Sequence, residues 1–322
     1  MAARPVLSAG GVGRAGGGGV IQPSGWLILD KPRGMGSTQG VAAVKRNLRE
    51  AGYGKVKIGH GGTLDPLAEG VLPIALGEAT KLAGRMLDAS KVYEFTVRFG
   101  VETDTLDTEG LVVATSDRRP TAPEIAEVLP CFTGPIEQAP PAYSALKVDG
   151  KRAYDRARAG EAVELATRNV TVLALDLVEA TGGAATLRAH VSKGTYIRSL
   201  ARDIARALGT VGHVTYLRRT KAGPFALEQA ISLDLLNEIG KGAPLEDTLL
   251  PLEAGLDGIP AHELDRTSAQ AARQGKTLSD QALPDGLFLA RHAGLPVALM
   301  ETEGGTAKVV RGFNFPDTVK DN

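Results

Sequence analysis

The chain lacks several features that mark common classes of protein. Its 322 residues include a single cysteine, Cys131, which excludes a disulfide within the chain and a metal site built from several cysteines. Because Cys131 lies in the apolar stretch Leu129-Pro130-Cys131-Phe132, we expect a buried structural thiol. The five histidines show no ligand spacing such as His-Glu-x-x-His, so we expect no metal.

Charge of one sign and long apolar runs are also missing. Lys plus Arg and Asp plus Glu number 37 each, which argues against a wholly basic nucleic-acid binder but leaves room for a local basic face. No stretch approaches the roughly 18 to 20 apolar residues that cross a bilayer. We therefore expect a cytoplasmic protein without a membrane segment and, since no stripe suited to dimerisation is evident, a monomer.

Composition divides the chain into three parts. Residues 1–24 contain no acidic residue, two arginines and seven glycines, which predicts a disordered leader. Residues 25–250 mix strand-like and helix-like segments without the regular alternation of a doubly wound sheet, which favours an α+β fold. Residues 251–322 hold short strand-like segments joined by glycine-rich turns, which predicts a small C-terminal β module.

Apolar periodicity predicts the individual elements. Strands are predicted over residues 26–29, 71–76, 91–99, 170–178, 184–191, 286–291, 295–301 and 307–311. Helices are predicted over residues 39–50 and 199–208. Pro73 predicts an edge position or a bulge for its strand, because proline cannot donate a ladder hydrogen bond. The polar residues 100–110 are interpreted as a loop.

A glycine-dense segment, residues 59–70, presents a single carboxylate in the middle of a bend. Its glycines let the backbone bend and let a large ligand approach, and Pro66 biases Asp65 toward an extended conformation. The segment predicts an exposed Asp65, with His60 five residues upstream, offered to a bulky substrate as a nucleophile or base. An Asp-Pro turn in which Asp65 caps its own backbone is the structural alternative.

A basic segment runs from Arg188 to Lys221 and contains one acid, Asp203. If Thr195 caps the helix that follows it, Arg198 lies in the first turn, where the helix dipole disfavours a cation. We therefore expect an anion against Arg198, either a phosphate or the carboxylate of Asp65. Arg198, Arg202 and Arg206 form one stripe along that helix, which is typical of a solvated face or of an RNA-binding one. In the RNA-binding interpretation, Tyr196 stacks on a base, and Lys193 and Arg202 neutralise phosphates.

From about residue 25 to residue 225 the chain resembles the TruB-type tRNA pseudouridine synthases. The matching motifs are Gly25-Trp-Leu-Ile-Leu-Asp-Lys-Pro-Arg-Gly34, Gly59 through Leu82, Thr103-Asp104-Thr105, Gln138-Ala-Pro-Pro-Ala-Tyr-Ser-Ala-Leu-Lys147, Ser192-Lys-Gly-Thr-Tyr-Ile-Arg198 and Leu217-Arg-Arg219. Several specific motifs in the right order make a strong signal where any single motif is weak. The C-terminal module resembles the small PUA-like domain of these enzymes.

The resemblance implies a mixed, mainly antiparallel sheet with flanking helices and the cofactor-free isomerisation of uridine to pseudouridine at position 55, in the T-arm of tRNA. It implies that Asp65 is the catalytic aspartate, that Arg198 pairs with it and that Tyr93 packs on the flipped base. His60, Tyr196 and Leu217 match positions that contact the substrate. Residues 138–160 match an excursion that contacts RNA. No protein partner is expected.

Three other functions remain open at this point. One is a synthase of the same fold that depends on a guide RNA and partner proteins. Another is an RNA-folding factor that keeps Asp65 without using it. The third is a hydrolase with a pair of carboxylates, in which Glu69 is the acid nearest to Asp65. The route of the isomerisation is open as well, because an aspartate can attack the sugar C1′ or the base C6, or assist an elimination.

Overall fold

The computed structural model describes residues 22–144, 165–279 and 283–315, together with the backbone of residues 147–148 and 151–152. The predicted leader 1–24, apart from residues 22–24, and most of the predicted excursion 138–160 lie outside the described residues. The remainder has the predicted α+β fold, with a mainly antiparallel sheet and a C-terminal β module.

Six α-helices lie in the described part of the chain. They are α1 (Ser37–Glu50), α2 (Ala83–Asp88), α3 (Ala122–Val128), α4 (Ile197–Ala207), α5 (Leu233–Gly240) and α6 (Arg266–Arg273). Short 3-10 helices occur at Gly77–Leu82, Leu129–Phe132, Leu227–Gln229 and Leu252–Gly255. None of the described helices is long and apolar enough to cross a membrane.

The strands of the larger domain are β1 (Gly25–Lys31), β2 (Ile58–His60), β3 (Glu69–Leu76), β4 (Lys91–Phe99), β5 (Val101–Thr103), β6 (Val112–Thr115), β7 (Gly134–Gln138), β8 (Lys147–Val148), β9 (Lys151–Arg152), β10 (Arg168–Thr181), β11 (Ala184–Val191), β12 (Gly212–Ala222) and β13 (Phe225–Ala226). The central sheet has the order β1-β3-β12-β4-β11-β10-β7, with β2 beside β3 and β13 beside β12. Its pairs are antiparallel except β3 with β12. Two short hairpins, β5-β6 and β8-β9, lie outside it.

The central sheet is covered on both faces, which explains the continuous apolar run of β1. Leu27 and Leu29 pack in one core cluster, whereas Trp26 and Ile28 pack in a second cluster on the other face. A strand that is buried on both faces loses the alternation of apolar and polar residues that a half-buried strand shows. The helix α4 buries its apolar side in the first cluster and thereby places its N-terminus beside the segment that carries Asp65.

The C-terminal module is a five-stranded sheet packed on α6. Its strands are β14 (Ala261–Glu263), β15 (Leu278–Ser279), β16 (Gly286–His292), β17 (Leu295–Glu303) and β18 (Thr306–Gly312), in the order β14-β16-β17-β18-β15. Leu289, Leu299 and Phe313 join the core cluster that contains Trp26, so the module docks on the face of the central sheet away from α4. Lys81 Nζ donates to the Gly312 carbonyl at 2.9 Å across this contact.

Three expectations from the sequence are wrong. Pro73 lies in β3, which pairs with β1 in continuous register and has neighbours on its other side, so it is neither at an edge nor at a bulge. On the side of β3 away from β1, β12 pairs with residues up to Gly70 and β2 pairs with residues from Ile74 onward. Pro73 lies between these two stretches, so no neighbouring strand requires the N–H that proline lacks. Cys131 is exposed, because it lies on the outer side of a 3-10 turn that buries Leu129 instead.

The third correction concerns residues 100–110. Their first part is the strand β5, which pairs with β6, and only the remainder is a loop. The pairing was hidden in the sequence because each strand is very short and neither alternates clearly. The hairpin positions the loop that follows β5 over the N-terminus of α4, where Asp107 bridges to Val214 of β12.

Candidate active site

The segment 59–70 is held in place by hydrogen bonds from three neighbours. Gly61 N donates to the Pro73 carbonyl at 2.8 Å, and Gly34 N donates to the Pro66 carbonyl at 2.8 Å. The buried Ser37 hydroxyl accepts from Leu64 N at 2.7 Å and donates to the Leu64 carbonyl. These contacts fix the backbone on either side of Asp65, so its side chain is presented from a rigid support.

Asp65 lies at a turn, but the turn is closed by its backbone and not by its side chain. Its backbone carbonyl accepts from Ala68 N at 3.1 Å and closes a turn. Its carboxylate forms an ion pair with Arg198, with Asp65 Oδ2 and Arg198 Nη2 2.7 Å apart. The Asp65 side chain is 38% exposed, whereas that of Arg198 is 5% exposed. The cation therefore fixes the carboxylate from the protein side and leaves the other side open to a ligand.

Arg198 lies in the first turn of α4, as predicted, but the residue at the cap is Tyr196 and not Thr195. Thr195 Oγ1 donates to the Ser192 carbonyl at 3.0 Å and closes the preceding turn, so its hydroxyl is engaged elsewhere. The anion expected against the misplaced cation is the carboxylate of Asp65. This contact brings together two residues that are 133 positions apart in the chain (198 minus 65).

A second carboxylate on Arg198 was not predicted. Asp107 is buried, and its Oδ2 lies 3.6 Å from Arg198 Nη1. Arg198 also donates to the carbonyls of Thr105 at 2.8 Å and Tyr143 at 3.0 Å. In the sequence Asp107 is one of several acids in a polar loop, and only the bridge from that loop to β12 distinguishes it. The guanidinium is thus oriented by two carbonyls and two carboxylates, and of these carboxylates Asp65 is exposed and Asp107 is buried.

Three buried cations lie beneath the segment 59–70 and donate to backbone carbonyls. Arg219 donates to Gly62, Thr63 and Val71. Lys31 donates to Pro32 and Met35. Lys91 donates to Met86, Leu87 and Ala89. Carbonyls that accept from a cation are held firmly, so Arg219 stiffens the segment 59–70 itself, whereas Lys31 and Lys91 stiffen the neighbouring residues 32–35 and 86–89.

Burial changes the ionisation of both lysines. It lowers the pKa of Lys31 to about 8, against the opposing attraction of the nearby Asp65 carboxylate. It lowers the pKa of Lys91 to about 8 as well, with a further contribution from the charge on Arg219. Burial and Arg219 also lower the pKa of His60, whose Nδ1 accepts from Gly62 N at 3.4 Å, so this ring is neutral at pH 7.

The pKa of Lys91 predicts a stability change on the alkaline side of neutrality. Between pH 8 and 10.5 the unfolded chain keeps a proton on Lys91 that the folded protein has released, so stability rises with pH across this window. We expect the free energy of unfolding of the wild type, minus that of Lys91→Met, to increase from pH 7.5 to pH 10. Chemical denaturation of both proteins at the two pH values measures it. An equal difference at both would contradict the assignment.

The structure brings Tyr93 and Leu217 to the same region of the sheet. Tyr93 pairs in register with Arg219, and Leu217 pairs with Phe95, so the side chains of Tyr93, Leu217 and Arg219 share one face. Tyr93 is partly buried against the core, and Leu217 is 5% exposed. Arg219 on the same face holds the carbonyls of Gly62 and Thr63, so Tyr93 and Leu217 share a face of the sheet with a side chain that supports the segment 59–70.

Lys193 and Tyr196 lie at the start of α4, and Arg202 lies in its second turn. The guanidinium of Arg168 lies 4.9 Å from the ring centre of Tyr196, and Gln138 holds the Tyr196 backbone by two hydrogen bonds. Lys193 is exposed and paired with Asp88 at 2.8 Å. Arg202 is 13% exposed and donates to Asp203 at 2.8 Å and to the Ala139 carbonyl at 3.2 Å.

Glu69, the second carboxylate of the hydrolase alternative, is paired with a different arginine from Asp65. Glu69 Oε1 accepts from Arg218 Nη1 at 2.9 Å, in a cluster that also holds Asp30. Within the described ranges, no group of three or more His, Cys, Asp and Glu side chains is arranged to hold a metal ion. Among the described residues, the site offers the accessible carboxylate of Asp65, paired with an arginine.

Comparison with known families gives two adjacent matches. A model described as "TruB family pseudouridylate synthase (N terminal domain)" matches residues 48–197. A model described as "tRNA pseudouridylate synthase B C-terminal domain" matches residues 198–257. The boundary between them falls at Arg198, so the two partners of the ion pair belong to different matches.

Individual proteins agree with these matches. A protein from Novosphingobium aromaticivorans named tRNA pseudouridine synthase B is 67% identical, over 92% of this chain and 99% of its own length. A solved structure described as a Cbf5-Nop10-Gar1 complex is 28% identical with a TM-score of 0.69, over 90% of this chain and 85% of its own. One described as an H/ACA RNP bound to a substrate RNA containing 2′-deoxyuridine is 26% identical with a TM-score of 0.68, over 91% and 86%.

Proposed function

Because the chain belongs to the TruB family of pseudouridylate synthases, we propose that it isomerises uridine to pseudouridine at position 55, in the T-arm of tRNA. It is a tRNA pseudouridine synthase. The position in the tRNA and the role of Asp65 are the parts that we propose. The observation that carries them is the 2.7 Å ion pair between Arg198 and the half-exposed carboxylate of Asp65. A tRNA substrate also supports the expected cytoplasmic location.

The reaction needs one carboxylate and no redox chemistry. The bond from the ribose to N1 of the base breaks, the base turns, and a bond from the ribose to C5 forms with loss of the hydrogen on C5. Asp65 is the group that reacts with the nucleotide, whether at C1′, at C6 or in an elimination, since covalent catalysis by a carboxylate is a common strategy. Arg198 holds it in the reacting orientation.

The target uridine has to leave the stacked T-loop before it reaches Asp65. Flipping a nucleotide out costs a few kcal/mol, which contacts in the pocket offset. We propose that Tyr93 packs on the flipped base, with Leu217 beside it, and that His60, as a neutral ring, contacts the RNA. Tyr196, already stacked under Arg168, adds an aromatic surface for a neighbouring base.

We propose that Lys193 and Arg202 contact tRNA phosphates. Removal of a phosphate contact lowers the slope of log K against log salt by roughly 0.9. We expect Arg202→Ala to weaken tRNA binding and to flatten the slope by this amount, which a salt titration of the dissociation constant measures. Because Arg202 also holds the Ala139 carbonyl, thermal unfolding of the variant has to be compared with wild type. An unchanged slope in a folded variant would remove Arg202 from the RNA contacts.

Two further assignments complete the proposal. We propose that residues 138–160 contact the RNA and that the C-terminal module, residues 251–322, is a PUA-like RNA-binding domain. We also propose that the chain acts as a monomer without protein partners. The similar solved structures described as an H/ACA RNP and as a Cbf5-Nop10-Gar1 complex are assemblies, so this last point needs its own test.

The position of modification is tested by mapping the product. An unmodified tRNA transcript is incubated with the purified chain, treated with a carbodiimide that marks pseudouridine, and read by primer extension. We expect one stop, at the T-arm target, and none in a transcript that carries cytidine there. Stops at other uridines in place of this one would contradict the assigned position.

A further inference from the structure

An open groove of about 820 Å³ lies along α1, outside the cleft that holds Asp65. Its floor is formed by small and apolar side chains, and its rim carries three arginines. The lining residues are Pro32, Arg33, Gly34, Met35, Gln39, Ala42, Ala43, Arg46, Arg49 and Leu233. No acidic residue is among them, so the lining carries a net charge of +3.

The arginines of the rim are available to a ligand. Arg33, Arg46 and Arg49 are all exposed. Arg46 and Arg49 form no ion pair or hydrogen bond with any residue that the structure describes, and Arg33 donates only to the Thr108 hydroxyl, at 3.1 Å. The first turn of α1 contains no acid, so the partial positive charge of the helix N-terminus adds to that of Arg33. Three unneutralised cations along one groove favour a ligand with several negative charges.

The groove adjoins the segment that carries Asp65. Gly34, in its lining, donates to the carbonyl of Pro66, the residue next to Asp65. Thr108, which holds Arg33, lies in the same loop as Asp107. An RNA strand that is bound at Asp65 and continues toward Gly34 therefore reaches the groove next. A polymer with regularly spaced charges along a backbone and apolar faces fits a basic rim over an apolar floor.

We propose that this groove binds the phosphate backbone of the substrate tRNA outside the T-arm hairpin. The inference rests on the proposed function, since it takes the tRNA to be bound with its target uridine at Asp65. The T-arm alone fills the cleft, and the groove adds contacts that only the complete tRNA can make. The groove thus raises the affinity for a folded, full-length tRNA over that for an isolated hairpin.

The test compares two RNAs and three variants, namely Arg46→Ala/Arg49→Ala, Arg46→Ala and Lys45→Ala. The double variant Arg46→Ala/Arg49→Ala removes two of the three cations from an exposed helix face. The matched control for Arg46→Ala is Lys45→Ala, because Lys45 is exposed on the same helix and carries the same charge but does not line the groove. Dissociation constants are measured over a salt series with the full-length unmodified transcript and with the isolated T-arm hairpin, and thermal unfolding verifies folding.

We expect the double variant to bind full-length tRNA about 20-fold more weakly at about 0.15 M salt and to lose about 1.8 from its salt slope. Its affinity for the hairpin stays within about twofold of wild type, and its turnover at saturating tRNA is unchanged while KM rises. Lys45→Ala has a smaller effect than Arg46→Ala on both the affinity and the slope.

Three outcomes would overturn the inference. The first is equal loss of affinity for hairpin and full-length tRNA, which would make the groove part of the T-arm cleft. The second is no change with full-length tRNA. The third is an equal effect of Lys45→Ala and Arg46→Ala. That result would mean that the arginines act only through the overall positive charge of the helix and not through contacts in the groove. Turnover of the hairpin by the wild type tests the proposed function separately, because it does not involve the groove.

Discussion

The substitution Asp65→Asn is expected to abolish isomerisation while tRNA binding survives. Asparagine has the shape of aspartate but cannot act as a nucleophile or base, and removal of one essential catalytic group costs about four to six orders of magnitude in turnover. Arg198 keeps its hydrogen bonds to Thr105 and Tyr143 and its contact with Asp107, so the site should stay assembled. Single-turnover measurements and tRNA titrations on the same protein provide the two readouts.

Glu69→Gln is the matched control for that experiment. Glu69 is the other acid of the same segment, and its glutamine still accepts from Arg218. We expect near wild-type turnover from this variant. Turnover that survives in Asp65→Asn would refute the mechanism, and turnover lost equally in both variants would favour a carboxylate pair.

Loss of Arg198 is expected to affect stability and catalysis together. Arg198→Met leaves the buried Asp107 carboxylate without its cation, and breaking a buried pair on one side typically costs about 3–5 kcal/mol. The same substitution releases the carboxylate of Asp65 from its fixed orientation. We therefore expect a large drop in the free energy of unfolding, measured in urea, and a loss of turnover beyond what the unfolded fraction explains.

A double-mutant cycle separates the two roles. In Arg198→Met/Asp107→Asn the uncompensated buried charge is gone, so we expect most of the lost stability to return. Turnover should not return, because Asp65 still lacks its partner. Recovery of both properties would show that Arg198 acts only through the fold, and recovery of neither would contradict the assignment of Asp107 as the buried counter-ion.

Local patterns in the sequence were enough to predict the secondary-structure elements that carry the site. The apolar spacing of α4 and the alternation of β4 are intrinsic to short windows, and both elements lie where these patterns put them. The position of Arg198 in the first turn of a helix required an anion, and the structure supplies the carboxylate of Asp65. The electrostatic conflict predicted an anion, either a phosphate or Asp65, and the structure shows that it is Asp65.

Features that depend on partners distant in the chain were not predictable. Asp107 differs from the acids around it only because its loop is placed over α4 by a hairpin and a bridge to β12. Pro73 is tolerated inside a sheet because two neighbours end on either side of it. In the sequence Arg219 cannot be distinguished from the other cations of its basic segment. In the structure it is buried and holds the segment 59–70. Each of these depends on register and packing, which a single sequence does not contain.

The central claim is that this chain alone converts one uridine of tRNA through Asp65. The most direct measurement is release of tritium from C5-labelled uridine in an unmodified tRNA transcript, with purified protein and no cofactor, guide RNA or partner. Formation of the bond at C5 must expel that hydrogen. We predict release approaching one equivalent per tRNA, lost when the T-arm target is cytidine. Tight binding without release would contradict the account and favour a partner-dependent synthase or an RNA-folding factor.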